Sequence, residues 1–206
     1  MSKPLVLVIP TAKVDRWILG PGFVSANLLP SVDLLLGGDG FHFMERQLAE
    51  VDEDFQQVIP YLFVRSPSGW FHYRRSEAGT EKRLHSLWSC GVGGHVEPVD
   101  GSACNPYEAY RAGMCREMIE ELGKSRFEDT FIGLVRDPSN AVGRVHLGFV
   151  HVASVESDVL STDVSLMAAG HASAEELVRL LPKMEGWSRL VLESPESGLL
   201  PALPRP

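Results

Sequence analysis

Short runs rich in aliphatic and aromatic residues predict several strands along the chain, and the run at 145–155 also alternates between apolar and polar residues. The runs 58–64 and 70–74 flank Ser66-Pro67-Ser68-Gly69, a sequence typical of a hairpin turn. Similar runs predict further strands at 5–9, 131–135 and 145–155. The segment 20–40 is rich in Gly and Pro, and its pattern favours no particular element.

The clearest helical pattern follows Asn105, a residue that commonly caps helix N-termini. Pro106 suits the first helical position, and Glu108 stands three residues after the cap, as a reciprocal capping box requires. Gly123 is a typical C-terminal glycine. The pattern predicts that one face of this helix is buried, with Met114, Cys115, Met118, Ile119 and Leu122 on it.

Weaker signals predict three other helices and a tail. A short helix is expected at 41–51, a second begins at the Ser173 capping box, and 184–193 forms another or continues it. The Pro-rich end, 194–206, is expected to be frayed. Strands and helices interspersed in this order predict an α/β fold with a mixed sheet between helices.

Composition limits the domain count and the class of partner. With 206 residues, 44% of them hydrophobic, the chain suits one domain with extensions better than two. A net charge of −8 argues against a nucleic-acid partner, because nucleic-acid surfaces are normally basic. Anionic small molecules remain compatible with that charge, since bound cations reverse the local field.

Cysteine usage and hydropathy favour a cytoplasmic protein. Cys90, Cys104 and Cys115 are odd in number, and no signal-peptide pattern precedes the first predicted strand. No apolar run reaches the length of a membrane span. We therefore expect a reduced environment without a membrane partner.

Three acids in the long helix indicate a divalent metal site. Glu117, Glu120 and Glu121 lie at positions i, i+3 and i+4, so they share one side of the helix within reach of each other. Their mutual repulsion is relieved by a hard cation with oxygen ligands. Arg116 precedes Glu120 by four residues and can hold that carboxylate in place. The alternative is a solvated acidic face on an ordinary amphipathic helix.

The loop before this helix carries Gly93-Gly94-His95 and then Glu97. Together with the acidic helix it resembles the Nudix hydrolase family, whose signature is Gly, five residues, Glu, seven residues, then Arg-Glu-apolar-x-Glu-Glu-x-Gly. Here Glu108, the stretch 109–115 and Arg116-Glu117-Met118-Ile119-Glu120-Glu121-Leu122-Gly123 match its second half. Between Gly94 and Glu108, which are fourteen positions apart, about eight residues near 98–105 look inserted.

The wider resemblance covers 55–195 and is to a bacterial Nudix subgroup of predicted phosphoesterases. It rests on 73–76, 84–89, the Gly-Gly-His turn, 137–140 and 145–148. The resemblance implies a Nudix α/β/α sandwich at 55–195, with 1–54 as an N-terminal extension packed on it and 196–206 as a tail. It also implies homodimerisation.

The same resemblance implies metal-assisted hydrolysis of a phosphoanhydride in a nucleoside-diphosphate-type molecule. Mg²⁺ or Mn²⁺ is expected at Glu117, Glu120 and Glu121 with a backbone carbonyl of Gly93 or Gly94, and Arg116 would orient the carboxylates. Glu97 or an acid from a later loop would be the general base.

Other polar residues have both a functional and an ordinary interpretation. Arg74, Arg75, Lys82 and Arg83 could hold substrate phosphates or form a solvated hairpin end. Asp137 and Asn140 could contact substrate or simply form a turn. His95, His146 and His151 are interpreted as core or surface residues, and the last two, five apart on one strand, cannot together form a metal pair.

Two other functions share part of this pattern. Isopentenyl-diphosphate isomerase is a Nudix-fold enzyme that uses a cysteine just before a Gly-His pair, whereas here Gly93 holds that position and Cys90 lies three residues earlier. A catalytically silent ligand-sensing Nudix domain has no need of a complete set of acids, and all three are present here.

Overall fold

The computed structural model describes residues 3–37, 40–75, 87–98, 105–161 and 166–201. Within these ranges the strands are β1 Leu5–Pro10, β2 Gly22–Ser25, β3 His42–Glu45, β4 Phe55–Ser66, β5 Gly69–Arg75, β6 Trp88–Ser89, β7 Gly91–Val92, β8 Glu128–Arg136, β9 His146–Ser154 and β10 Leu166–Ala172. The strands predicted at 5–9, 58–64, 70–74, 131–135 and 145–155 are confirmed. Arg65 pairs with Trp70 across the predicted hairpin turn.

All ten strands belong to one mixed sheet, whose main path runs β10-β5-β4-β9-β8-β2. β4 and β9 are parallel, with Val58 opposite Leu147, and the other pairs along that path are antiparallel. β1 pairs with both β3 and β4, while the two short strands β6 and β7 pair with β5 and β4. The predicted mixed α/β fold is confirmed, with a sheet that is mostly antiparallel.

The helices of the described chain are α1 Thr11–Val14, α2 Val32–Gly37, α3 Arg46–Ala49, α4 Pro106–Leu122, α5 Ala141–Arg144, α6 Ala174–Leu180 and α7 Gly186–Glu193. The predicted ends of α4 are confirmed: Asn105 Oδ1 accepts a hydrogen bond from the Glu108 amide at 3.3 Å, and Gly123 is left-handed with φ 63°. The Ser173–Glu176 capping box of α6 is also present. None of the helices in the described ranges is long and apolar enough to cross a bilayer.

Helices cover both faces of the sheet. On β4, Leu62 and Val64 pack with Met114 and Met118 of α4. The alternate residues Tyr61 and Phe63 point to the opposite face, where they pack with a cluster that includes Leu177 of α6 and Val191 of α7. The strand period of two residues therefore separates two cores, with α4 against one side of the central strands and α6 and α7 against the other.

Strands from the first 54 residues are part of this sheet. β1 lies between β3 and β4, and its residues Val6 to Ile9 are fully buried. β2 pairs with β8 at the other end of the sheet. The Leu7 amide also donates a hydrogen bond to the Val96 carbonyl at 2.9 Å, so β1 supports the loop that precedes α4.

Three predictions about local structure were wrong. The segment 41–51 is not one helix, because His42–Glu45 pairs with β1 as a strand and only Arg46–Ala49 is helical. Ile119 is 49% exposed, since α4 turns Met118 rather than Ile119 toward the sheet. The tail is not frayed at its start: Leu199 is 8% exposed and packs with the α7 cluster, while 202–206 lie outside the described residues.

Candidate active site

Two glycines bring the loop after β7 against β4 and α4. Gly93 has φ 156°, and a β-carbon there would overlap the backbone carbonyl of Pro60 on β4. A β-carbon on Gly94 would overlap the carboxylate of Glu117 on α4. Because only glycine permits both approaches, the chain places the Gly94 backbone directly beside the first acid of the helix.

Arg116 joins this loop to two of the acids. Its Nη1 donates to Glu117 Oε1 at 2.7 Å and to Glu120 Oε2 at 3.0 Å, which is the contact that the spacing of four residues predicts. Its Nη2 donates to the His95 carbonyl at 2.7 Å. One guanidinium therefore fixes two carboxylates and the loop backbone in a single arrangement.

The acids differ in exposure. Glu117 is buried, at 9% exposed, on the side of α4 that also carries Met114 and Met118. The Glu120 side chain is 57% exposed, and Glu121 is half-buried. The predicted separation of an apolar face from an acidic face is thus incomplete, because Glu117 enters the protein and Ile119 faces solvent.

Two histidines and one glutamate converge next to the loop that carries Gly94. Glu50, His95 and His146 have ligand atoms that all lie within 4.8 Å of one another, and they are the one group of three or more His, Cys, Asp or Glu residues found this close in the described chain. Glu117, Glu120 and Glu121 do not form such a group; the Arg116 nitrogen contacts the first two of these acids. Sequence reasoning missed this convergence, since it treated each histidine alone.

The other residues predicted to act in the site have the following positions. Glu97 is half-buried, three residues beyond Gly94 in the same loop. Arg74 is exposed on β5, opposite Trp88 of β6 and Met167 of β10. The backbone of Arg75 ends β5, whereas its side chain, Lys82, Arg83 and most of the inserted stretch 98–105 lie outside the described part of the chain.

Asp137 and Asn140 make the hydrogen bonds of turn formers. Asp137 Oδ1 accepts from the Ser139 amide at 3.1 Å. Asn140 caps α5 by accepting from the Gly143 amide at 3.0 Å. These hydrogen bonds explain why Asp and Asn occupy positions 137 and 140 of this turn. A role of either residue in substrate binding stays a prediction.

Cys90 does not face the acids of α4. Its side chain is fully buried in the cluster on the α7 side of the sheet, and this burial, with a smaller effect of Glu185, raises the pKa of the thiol. A proton-donating cysteine near His95, as the isomerase alternative requires, is therefore not provided by Cys90.

A buried polar chain also ties α4 to the sheet. Tyr110 of α4 is 2.8 Å from His151 Nε2, and His151 Nδ1 is 2.8 Å from Asp129 Oδ2 on β8. Arg111 of α4 donates to the same Asp129. These contacts link two successive helix residues to two strands and so fix the position of α4 against the sheet.

Comparison with known proteins agrees with this architecture. The chain is 31% identical over 157 residues to Protein YmaB of Bacillus subtilis, and the match covers 73% of this chain and 76% of that protein. The crystal structure of Tm1382, a candidate Nudix hydrolase, is 29% identical with a TM-score of 0.75 and covers 91% of this chain and 96% of its own. No protein-family model matches the sequence.

A more distant structure shares the fold alone. The Nudix domain of Shewanella oneidensis NrtR, solved with ADP-ribose, is 10% identical with a TM-score of 0.52 and covers 67% of this chain and 84% of its own.

An α/β/α sandwich with an Arg-Glu-x-x-Glu-Glu helix beside a Gly-Gly loop is the architecture of a Nudix hydrolase. The chain belongs to the Nudix hydrolase family, and it is a hydrolase.

Proposed function

We propose that this protein hydrolyses a phosphoanhydride bond in a small nucleoside-diphosphate-type molecule, with Mg²⁺ or Mn²⁺ bound at α4. The observation that carries the proposal is the direct approach of Gly94 to the Glu117 carboxylate, with Arg116 bonded to both the loop and the acids. These contacts keep Glu117 and Glu120 next to the loop, which supports a metal site formed by them with Glu121 and the Gly94 carbonyl.

The donor atoms suit the proposed ion. Glu117, Glu120 and Glu121, together with the Gly94 carbonyl, would supply only oxygen ligands, which Mg²⁺ and Mn²⁺ prefer. Such an ion would neutralise diphosphate oxygens and lower the pKa of a bound water. Arg116 keeps Glu117 and Glu120 oriented, and the exposed Glu120 can move toward a bound ion with little cost in packing.

Glu97 is our proposed general base. It belongs to the same loop as Gly94. The hydrogen bond from the Leu7 amide of β1 to the Val96 carbonyl limits the movement of that loop. We propose Arg74 and Arg75, the last two residues of β5, as phosphate ligands. We propose Asp137 and Asn140, in the turn between β8 and α5, as further substrate contacts. ADP-ribose, which the NrtR domain binds, belongs to the proposed class of substrate.

Exchange of one acid tests the mechanism. We expect Glu120→Gln to lower the hydrolysis rate in Mg²⁺ or Mn²⁺ by at least about 100-fold, because a direct metal ligand matters no less than the residues that support it. The substrates to screen are nucleoside triphosphates, sugar nucleotides, dinucleoside polyphosphates and ADP-ribose, with released phosphate measured after phosphatase treatment.

Glu193→Gln is the matched control. Glu193 accepts from Arg189 Nε at 2.8 Å, an i,i+4 pair like Arg116 and Glu120, but it lies on α7 across the sheet. This variant should keep the wild-type rate. A Glu120→Gln rate equal to wild type would remove Glu120 from the mechanism, and binding of these compounds without turnover by wild type would favour the silent ligand-sensing alternative.

A further inference from the structure

A second possible ligand set lies next to the proposed active site and shares none of its acids. Glu50 directly follows α3, His95 lies in the loop after β7, and His146 begins β9. His95 Nε2 and His146 Nε2 are 3.3 Å apart. A carboxylate oxygen of Glu50 and one ring nitrogen of each histidine all lie within 4.8 Å of one another. Three segments distant in sequence thus present two nitrogens and an oxygen to one point.

Hydrogen bonding directs the lone pair of His146 toward this point. His146 Nδ1 is 2.7 Å from the Val142 carbonyl, which can only accept, so Nδ1 carries the proton and Nε2 of the neutral ring carries the lone pair. An Nδ1–H···O=C bond of this kind is the usual support of a histidine that binds metal through Nε2.

His95 is half-buried, and its Nε2 is the ring nitrogen that lies near His146. Only a neutral imidazole can donate electrons to a metal. In their neutral states the two rings either share one proton in a hydrogen bond or direct two lone pairs at one cation.

The distances agree with the second arrangement. Two nitrogens bound at about 2.0–2.1 Å to one tetrahedral ion lie about 3.3 Å apart, and the observed separation is 3.3 Å. We propose that Glu50, His95 and His146 form a binding site for a borderline transition-metal ion of the Zn²⁺ or Co²⁺ class. Nitrogen ligands select such ions over Mg²⁺, so this site and the all-oxygen site on α4 differ in metal preference.

The charges around the site set its affinity. Arg46 Nε is 3.4 Å from Glu50 Oε1, and both Arg46 and Arg116 oppose a dication at His95. The Glu50 side chain is 37% exposed and can leave Arg46 for the ion. The exposed position of Glu50 also leaves room for a water as the fourth ligand, as in three-ligand zinc sites.

A bound ion would connect α3, the loop and β9. Because Arg116 holds the His95 carbonyl, that connection would limit the movement of the loop that carries Gly94. The site is defined by its own geometry and does not depend on the proposed hydrolysis.

Titration with Co²⁺ tests the proposal. Chain purified without a histidine tag and stripped of metal is titrated with Co²⁺, and the visible absorption of the tetrahedral ion is recorded. We expect one equivalent of Co²⁺ to produce this band and Zn²⁺ to displace it. His146→Ala and Glu50→Gln should each weaken binding by at least about 10–100-fold, whereas Arg46→Gln should tighten it.

The controls separate this site from the acids of α4 and from histidines elsewhere. Glu120→Gln removes a ligand of the proposed Mg²⁺ or Mn²⁺ site and should still leave the tetrahedral Co²⁺ band in place. His171→Ala, on β10, should also leave this band in place. Since Glu50 is at the surface, Glu50→Gln keeps the test valid even if a histidine variant fails to fold. The proposal is overturned if Co²⁺ produces no tetrahedral band, if the band survives His146→Ala in folded protein, or if Glu120→Gln abolishes it.

Discussion

At the scale of single residues, Gly94 has the most direct consequence for function. The space for its β-carbon is occupied by the Glu117 carboxylate, so any side chain would separate the loop from the acid. We expect Gly94→Ala to lower the hydrolysis rate about 10–100-fold, as misplacing a group that supports a metal site typically does. Hydrolysis at saturating Mn²⁺ and the Mn²⁺ concentration for half-maximal rate measure the effect.

Gly22→Ala is a suitable control for that variant. A β-carbon at Gly22 in β2 meets nothing within 4 Å, so this substitution should leave the rate unchanged. If Gly94→Ala hydrolyses substrate at the wild-type rate with the same Mn²⁺ dependence, the close approach of loop and helix has no part in the chemistry.

At the scale of elements, α4 shows what local sequence can and cannot predict. Its ends follow from Asn105 and Gly123, because capping involves only neighbouring residues. The burial of Glu117 could not be predicted from helical periodicity. It depends on Gly94, whose missing side chain leaves space for the Glu117 carboxylate, and on Arg116, which donates a hydrogen bond to that carboxylate.

The same limit applies to the ligands around His95. Glu50, His95 and His146 come together only because β1 draws α3 beside the loop and β9 lies parallel to β4. No spacing within the sequence encodes that convergence. The only available signals were the position of His95 after two glycines and of His146 at the start of a predicted strand, and each alone suggested an ordinary histidine.

The buried chain from Tyr110 to Asp129 predicts a pH dependence of stability. Burial lowers the pKa of His151, although its bond to Asp129 acts in the opposite direction. Because the pKa of His151 is lower in the folded than in the unfolded state, its contribution is complete above about pH 6.5 and is lost as the pH falls. A single proton that only the unfolded state binds gives a slope of at most about 1.4 kcal/mol per pH unit.

His151→Gln should remove this part of the slope. We expect the free energy of unfolding, measured by urea denaturation between about pH 7 and pH 5, to fall less steeply in His151→Gln than in wild type. His42→Gln, which changes an exposed histidine of β3, should keep the wild-type slope. Equal slopes for His151→Gln and wild type would mean that His151 does not resist protonation in the folded protein.

At the scale of the whole molecule, the first 54 residues raise the question of where the folding unit begins. The family resemblance begins near residue 55, yet β1 and β2 hydrogen-bond to strands β4 and β8 of the later segment. Arg136 on β8 also donates to Asp15 Oδ1 at 2.6 Å and to the Ile18 carbonyl. Backbone and side-chain contacts thus both join the early segment to the sheet.

Deletion of residues 1–54 therefore tests whether 55–195 is a self-sufficient domain. We expect a chain of 55–206 to lose cooperative urea unfolding, since removing β1 takes fully buried Leu7 and Ile9 from the core that packs under α4. Even Leu7→Ala alone should lower the free energy of unfolding by about 2–5 kcal/mol. Deletion of 202–206 is the control and should leave the unfolding midpoint unchanged. If the 55–206 chain unfolds cooperatively and still hydrolyses substrate, residues 1–54 are a separable extension, and the support that β1 gives the Gly94 loop through Val96 is dispensable.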